Sequence, residues 1–262
     1  MIIRQLLYAA QQISLMHSGP DGSQKEVHGT CFFVRTDTKL CVVTNRHNLD
    51  LAFKDRKYVG YKFEGFMISG YADNEHYYRG IPTDLIPYHF PGNQFEDVAV
   101  FDVTDKQMQY LRKRKMGESP DVKMGPPAIF SIEASMLASG DDFKIMPAGA
   151  PILMPSYSLH YDKSSERPVM RGGIVSSDPQ SDYLTNDQEP ARRFLFQAQS
   201  AEGASGAPVF ALMDNEVVLL GVNAGQLLVP PSNSPSGFSY GFKADCIREC
   251  IERLSQPQAL AE

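Results

Sequence analysis

Val43-Thr44-Asn45-Arg46-His47, then Glu96-Asp97-Val98-Ala99-Val100, then Gly203-Ala204-Ser205-Gly206-Ala207-Pro208-Val209 follow one another along the chain, and their order decides how it is read. They supply a histidine, an aspartate and a serine, each beside an apolar, strand-like run. A serine hydroxyl is a weak nucleophile at neutral pH. An imidazole has to take its proton, and a carboxylate has to fix the imidazole's tautomer and stabilise its charged form. His47, Asp97 and Ser205 are therefore the candidate catalytic residues of an acyl-transfer site. Asp50 and Asp102 are the competing carboxylates. Asp50 is too near His47 in sequence to approach the outer ring nitrogen easily, and Asp102 lies at the far end of a strand.

The order His, Asp, Ser separates folds. In α/β-hydrolases the histidine follows the nucleophile, whereas the last histidine here is His160, upstream of Ser205. An Asp, His, Ser order of the subtilisin kind would need Asp21 or Asp37, and neither ends an apolar strand. The chain also lacks the alternating helix and strand pattern of a doubly wound sheet. The chymotrypsin order remains.

Outward from these strings the pattern is one of short strands. Ile13–Met16, Val27–Val34, Leu40–Thr44, Tyr58–Gly70 and Phe95–Val103 read as strands, with Gly19-Pro20-Asp21-Gly22 as a turn between the first two. Thr104-Asp105-Lys106-Gln107 has capping-box form, and Met108 and Leu111 keep helical spacing, which predicts a short helix. Residues 117–127 carry three prolines, so 104–127 is expected to link two domains, 1–103 and 128–262. In the second half, Phe143–Met146, Pro151–Pro155, Val169–Ser176, Phe194–Ala198, Pro208–Met213, Val217–Val222 and Phe238–Lys243 are strand candidates, with Leu227–Pro235 as a loop. Asp245 caps a final helix with Ile247, Ile251 and Leu254 on one face.

Composition narrows the partners. With 42% apolar and 21% charged residues in 262, the chain is an ordinary globular protein with ample core. A formal charge of −6 argues against nucleic acid or anionic membrane as partner. The basic run Arg112-Lys113-Arg114-Lys115 has no interleaved aromatics and reads as solvated surface. The N-terminus lacks a sustained apolar run and a small-residue cleavage site, and no later stretch reaches membrane-span length, so cytoplasmic residence is expected. Cys31 and Cys41 fall in neighbouring strand segments, and Cys246 and Cys250 share a predicted helix face. Buried reduced thiols are the expectation for both pairs, with no metal and no cofactor.

The residues resemble the trypsin-like (chymotrypsin-fold) serine peptidases, and especially the bacterial branch near the HtrA proteases. The likeness is carried by Gly29-Thr30-Cys31-Phe32-Phe33-Val34 leading to Thr44–His47, by Asp97–Val100, by Arg171-Gly172-Gly173-Ile174-Val175, by the serine loop, and by Leu220-Gly221-Val222-Asn223-Ala224. No PDZ-like segment is recognisable after residue 250. The resemblance implies an all-β fold of two antiparallel β-barrels with a C-terminal α-helix and the catalytic groups in the cleft between them. It implies Ser205 as nucleophile, His47 as general base and then acid, Asp97 as orienting carboxylate, and the backbone N–H groups of Gly203 and Ser205 as an oxyanion hole. It implies that residues 223–226, among them Asn223, Ala224 and Gly225, pair with substrate as an added strand.

Two departures matter. Members activated by cleavage carry an acidic residue just before the serine; here it is Ala204, so no N-terminal cut is expected to be needed for activity. The family pocket would be lined near Phe196–Glu202, Ala224–Gln226 and Gly237–Tyr240. Gln199 and Ser200 stand where an aspartate would select Arg or Lys, which implies a small or apolar side chain; Glu202 is expected to repel acidic residues near the cut. The expected function is a serine endopeptidase acting on protein or peptide substrates, with an activating partner protein as a second expected partner. The alternative is a catalytically silent peptide-binding or regulatory module on the same scaffold.

Overall fold

A computed structural model describes residues 2–72, 76–82, 86–104, 108–113, 121–124, 130–184, 189–213 and 216–255. The N-terminal half contains α1 (Ile2–Leu7), β1 (Ala10–Ser18), β2 (Gln24–Arg35), β3 (Leu40–Thr44), α2 (Arg46–Leu49), β4 (Lys62–Ala72), β5 (His76–Pro82), β6 (Tyr88–His89), β7 (Ala99–Asp102), β8 (Met108–Lys113), β9 (Asp121–Met124) and β10 (Ile132–Glu133). Its strands form one sheet in the order β6-β7-β3-β2-β1-β4-β5-β8-β9, antiparallel throughout, with β10 added parallel to β2. Gly22 makes the β1–β2 hairpin possible: its φ of +82°, costly for an L side chain, closes the turn with an N–H bond to the Gly19 carbonyl at 3.0 Å.

Alternate residues of these strands face inward, as a period of two requires. Ile13, Leu15, Cys31, Phe33, Val42, Phe66, Ile68 and Phe101 build the core of this half. Phe66 of β4 and Phe101 of β7 lie on opposite sides of the β3-β2-β1 path, yet their ring centroids are 4.8 Å apart. The sheet therefore curls upon itself, bringing β4 and β7 into side-chain contact.

The C-terminal half comprises α3 (Gly140–Ile145), β11 (Pro151–Ser156), β12 (Val169–Val175), β13 (Arg193–Gln197), β14 (Pro208–Met213), β15 (Glu216–Val229), β16 (Ser234–Lys243) and α4 (Ala244–Ser255). Its six strands close into a barrel in the order β11-β12-β13-β16-β15-β14 around Ile152, Met154, Phe194, Phe196, Val209 and Leu220. A third apolar cluster joins the halves: Phe32, Val43 and Val100 from the first sheet meet Phe210, Leu219 and Phe242 from the barrel. Cys246, Ile247, Cys250 and Ile251, one face of α4, cover that seam. Each such side chain contributes about 1.5–3 kcal/mol by leaving water, so the cleft between the halves has a fixed floor. Among the described residues no helix is long and apolar enough to cross a membrane.

Three expectations are corrected. Of Phe143–Met146, the residues up to Ile145 are helical and Met146 is the C-cap, because Ser139 and Asp142 form a reciprocal capping box that nucleates α3 ahead of the apolar residues. The helix expected after Thr104 is instead strand β8. The Thr104 hydroxyl accepts the Leu40 N–H at 2.9 Å and bonds Asp102 at 2.6 Å, so it belongs to the sheet rather than to a cap. β8 and β9 thus extend the first sheet within the 104–127 stretch, of which residues 105–107, 114–120 and 125–127 lie outside the described residues. Leu227–Pro235 is mostly hairpin, with Leu228 opposite Pro235 and Val229 opposite Ser234. Proline is tolerated there because a strand margin does not need its N–H.

Candidate active site

β3 is buried between β7 and β2 and ends at Thr44; Asn45 then leaves the strand in an extended conformation and a single helical turn, α2, presents His47. The Asn45 side-chain amide donates to the Asp97 carbonyl at 2.7 Å, which pins the loop before β7 against this turn. The Asp97 carboxylate is then taken up twice by one residue. Oδ1 accepts the His47 backbone N–H at 2.9 Å, and Oδ2 meets His47 Nδ1 at 2.6 Å. A carboxylate at Nδ1 assigns the proton to that nitrogen and leaves Nε2, on the opposite edge of the ring, as the base. Burial alone would raise the Asp97 carboxyl, but His47 and Lys54 outweigh it and hold it well below the usual carboxylate range. Lys54 Nζ stands 3.3 Å from the same Oδ2. The competing acids are engaged elsewhere: Asp50 by Arg46 at 3.0 Å, Asp102 by Lys39 at 2.5 Å.

The serine loop is shaped by two glycines. Gly203 has φ +84°, and a Cβ there would come within 2.7 Å of the Tyr157 carbonyl oxygen; Gly206 has φ +87°, and a Cβ would come within 2.1 Å of the Thr30 carbonyl oxygen. Both positions therefore exclude any side chain. Thr30 of β2 holds the loop from the other half of the molecule. Its N–H donates to the Ser205 carbonyl at 2.8 Å and its hydroxyl to the Gly203 carbonyl at 2.7 Å. Asn223 holds it from beneath, donating from Nδ2 to the Ala204 carbonyl at 2.7 Å and to Ser200 Oγ at 3.0 Å.

These bonds sort the loop amides into two groups. Ala204, Gly206 and Ala207 donate to the carbonyls of Ala201, Asn223 and Ala204. Among the described residues, the amides of Gly203 and Ser205 donate to none. The Glu202 carbonyl accepts the Leu159 N–H at 2.9 Å, and a trans peptide then turns the Gly203 N–H the opposite way. His47, Gly203 and Ser205 line one open cavity of about 570 Å³ between the halves. Among the described residues, Ser205 Oγ makes no hydrogen bond with His47.

Among solved structures, the chain is similar to Deg5, with 13% identity and a TM-score of 0.56 over 97% of this chain and 91% of that one. It is similar to the active form of the Rv3671c protease from M. tuberculosis, with 15% identity and a TM-score of 0.53 over 99% of this chain and 86% of that one. A serine-to-alanine mutant of Rv3671c from M. tuberculosis H37Rv, in an inactive form, gives 14% identity and a TM-score of 0.51 over 99% of this chain and 92% of that one. The chain has the trypsin-like fold. No protein-family model matches the sequence, and no curated protein does.

Within this trypsin-like fold the remaining expected site residues separate. Gln199 lines a smaller cavity of about 220 Å³ with Gln226, Pro235, Gly237, Phe238 and Ser239, and among the described residues none of its lining side chains is charged. Ser200 is buried and donates its backbone N–H to Ser239 Oγ, so it supports that cavity from behind. Glu202 is exposed at the rim of the larger cavity. Asn223, expected to meet substrate, has its side chain fully buried under the serine loop; it anchors the loop that Ala204 cannot hold by an ion pair. The Ala224 carbonyl accepts Lys54 Nζ at 2.8 Å, and Gly225 is half-buried with φ +154°. His28 lines the same cavity as His47 while bonding Ser14 at 2.8 Å.

Lys54 and the loop-holding roles of Thr30 and Asn223 were missing from the sequence reading. Thr30 lies within the quoted Gly29 string, but its contact with Gly203 spans 173 residues, and nothing in either local pattern signals it. All four cysteines are buried and unpaired. Burial pushes the Cys41 thiol up to about 12, which leaves it inert. Among the described residues no group of three or more His, Cys, Asp or Glu side chains is placed to hold a metal ion.

Proposed function

We propose that the protein is a serine endopeptidase that hydrolyses peptide bonds through an acyl-enzyme intermediate. One observation carries this reading: a histidine held in the base tautomer by a buried carboxylate shares a cavity with a serine whose own amide, and that of Gly203, are left uncommitted. Ser205 Oγ attacks the carbonyl carbon of the scissile bond while His47 Nε2 takes its proton. The oxyanion that forms is received by the Gly203 and Ser205 amides, and the loss of one such donor typically costs about 2.7–4 kcal/mol of transition-state stabilisation. His47 then passes its proton to the leaving amine, water enters, and the same histidine activates it to release the acid. Asp97 stays ionised throughout and stabilises the imidazolium.

The uncharged lining of the smaller cavity favours a small or apolar side chain before the cut, and Glu202 at the cavity rim disfavours acidic residues nearby. Ala204 and the neutral Asn223 anchor favour activity without an N-terminal cut. Four unpaired cysteines support a reducing compartment, the cytoplasm, as its place.

A second reading has its own support in the missing Ser205–His47 hydrogen bond: a resting enzyme armed by a partner protein, or a silent peptide-binding module. A fluorophosphonate probe separates the three. Labelling of wild type and not of Ser205→Ala marks an armed nucleophile, and labelling only with a partner present marks gating. No labelling under either condition, together with peptide binding, marks the module and ends the peptidase reading.

A further inference from the structure

Lys54 stands at the centre of the cleft with no part in the chemistry above. It follows the 3-10 turn Leu51–Phe53 in the N-terminal half, and its ammonium reaches across to the C-terminal half. Nζ is 3.3 Å from Asp97 Oδ2 and donates to the Ala224 carbonyl at 2.8 Å. That carbonyl is available because the β15–β16 register shifts between Asn223 and Gly225, leaving Ala224 out of the ladder. The side chain lines both the cavity holding His47 and Ser205 and a neighbouring cleft of about 680 Å³ that reaches Asp97 from the other side.

We propose that Lys54 is a positioning residue of the triad: anchored on the Ala224 carbonyl, its ammonium shares Asp97 Oδ2 with His47 and favours the neutral, proton-accepting imidazole. This rests on the function proposed above. The physical reason is competition for one buried negative charge. His47 Nδ1 lies 2.6 Å and Lys54 Nζ 3.3 Å from the same oxygen, so a protonated His47 places a second cation beside an existing one. Like charges sharing one carboxylate oxygen repel one another, and the partial exposure of Lys54 weakens this repulsion without removing it.

The other charged groups around the pair are occupied or further away. Arg46 is spent on Asp50, and Arg192 on Glu96 and Glu249. Arg193, across the second cleft, donates to the Glu189 carbonyl and covers the Phe242 ring. Asp55, Glu202, Lys25, Glu26, His28 and Lys163 also line the first cavity, with Asp55 paired with Lys57, Lys25 over the Tyr58 ring and Glu26 3.9 Å from His28. Among the described residues, only His47 and Lys54 place a nitrogen within salt-bridge distance of the Asp97 carboxylate. A lysine serving only as a strap would need the Ala224 contact and not the carboxylate.

The test is the pH dependence of fluorophosphonate labelling in wild type, Lys54→Met, Lys54→Gln and Lys54→Arg, with the ¹H NMR signal of the proton between His47 Nδ1 and Asp97 followed over the same range. Methionine keeps the stem, glutamine keeps a donor without charge, and arginine keeps the charge. The expected result is an acid limb displaced to higher pH in the Met and Gln variants, with labelling several-fold slower on the limb and the alkaline plateau kept. The Arg variant stays near wild type. Superimposable profiles in a folded Met or Gln variant overturn the proposal, as does a loss that is equal at every pH and shared by Arg. If wild type itself does not label, the peptidase reading fails. The NMR signal then decides Lys54 alone: a midpoint moved in the Gln variant supports its role, and an unmoved one refutes it.

Discussion

Replacing Thr30 by valine isolates what holds the serine loop in shape. Valine keeps the branched outline of threonine and removes only its hydroxyl, at a position with no exposed surface. That hydroxyl donates to the Gly203 carbonyl at 2.7 Å and accepts the Tyr157 N–H at 3.0 Å. A buried polar group left without its partner costs about 1–3 kcal/mol, and the second lost bond adds about 1 kcal/mol. The expected destabilisation is thus about 2–4 kcal/mol, read as a lower urea midpoint at unchanged slope. Gly203 also carries, on the peptide before that carbonyl, one of the two proposed oxyanion N–H groups, so its backbone has to be held in place for the donor to be aimed. Freeing it is expected to slow phosphonylation of Ser205 by about 10²-fold, approaching the cost of deleting a donor. Thr30→Ser restores the hydroxyl and loses a methyl group, at about 1 kcal/mol, with labelling close to wild type. Wild-type stability and labelling rate in Thr30→Val would refute the idea that β2 shapes the loop across the cleft.

Two further outcomes are expected. Glu96 is buried and receives the Arg192 backbone N–H at 3.1 Å, Nε at 2.8 Å and Nη2 at 2.5 Å, so Glu96→Ala removes three bonds and leaves the partly exposed guanidinium with Glu249 alone; a loss of about 2 kcal/mol in urea unfolding is expected, and a change below about 0.5 kcal/mol contradicts the pairing. Asp97, whose carboxyl is held well below its ordinary value, contributes stability that is complete above the unfolded carboxyl's value of about 3.9 and is lost as pH falls through the folded value. Below pH 4 the stability of wild type is therefore expected to fall more steeply than that of Asp97→Asn, by up to about 1.4 kcal/mol per pH unit, and parallel slopes count against it.

Strand-rich architecture was legible in the chain because glycines and prolines punctuate short apolar runs, and Pro208–Met213 was delimited at both ends by pattern alone. Misreadings came where one local signal competed with another. At Phe143 an apolar run suggested a strand, but the capping box before it set a helix; at Thr104 a box-like motif suggested a helix, but the hydroxyl was claimed by Leu40 across the sheet. Local pattern cannot rank such rivals, since the winner is set by which partner packs against the segment. The hairpin through Val229 and Ser234 was missed for a related reason: prolines break ladders only where an N–H is required.

What the sequence by itself determined is the kind and order of the reactive groups. A histidine after a buried strand, an aspartate before another, and a serine between glycines are covalent facts, and the two glycines carry their own reason in backbone conformation. Tertiary structure alone decided which groups hold them. Thr30 on the Gly203 carbonyl, Asn223 under Ala204, and Lys54 between Asp97 and Ala224 are chosen by proximity in space, across separations as large as 173 residues. Their residue types are common and locally unremarked; the curl of one sheet and the closure of the other bring them within a hydrogen bond of the site.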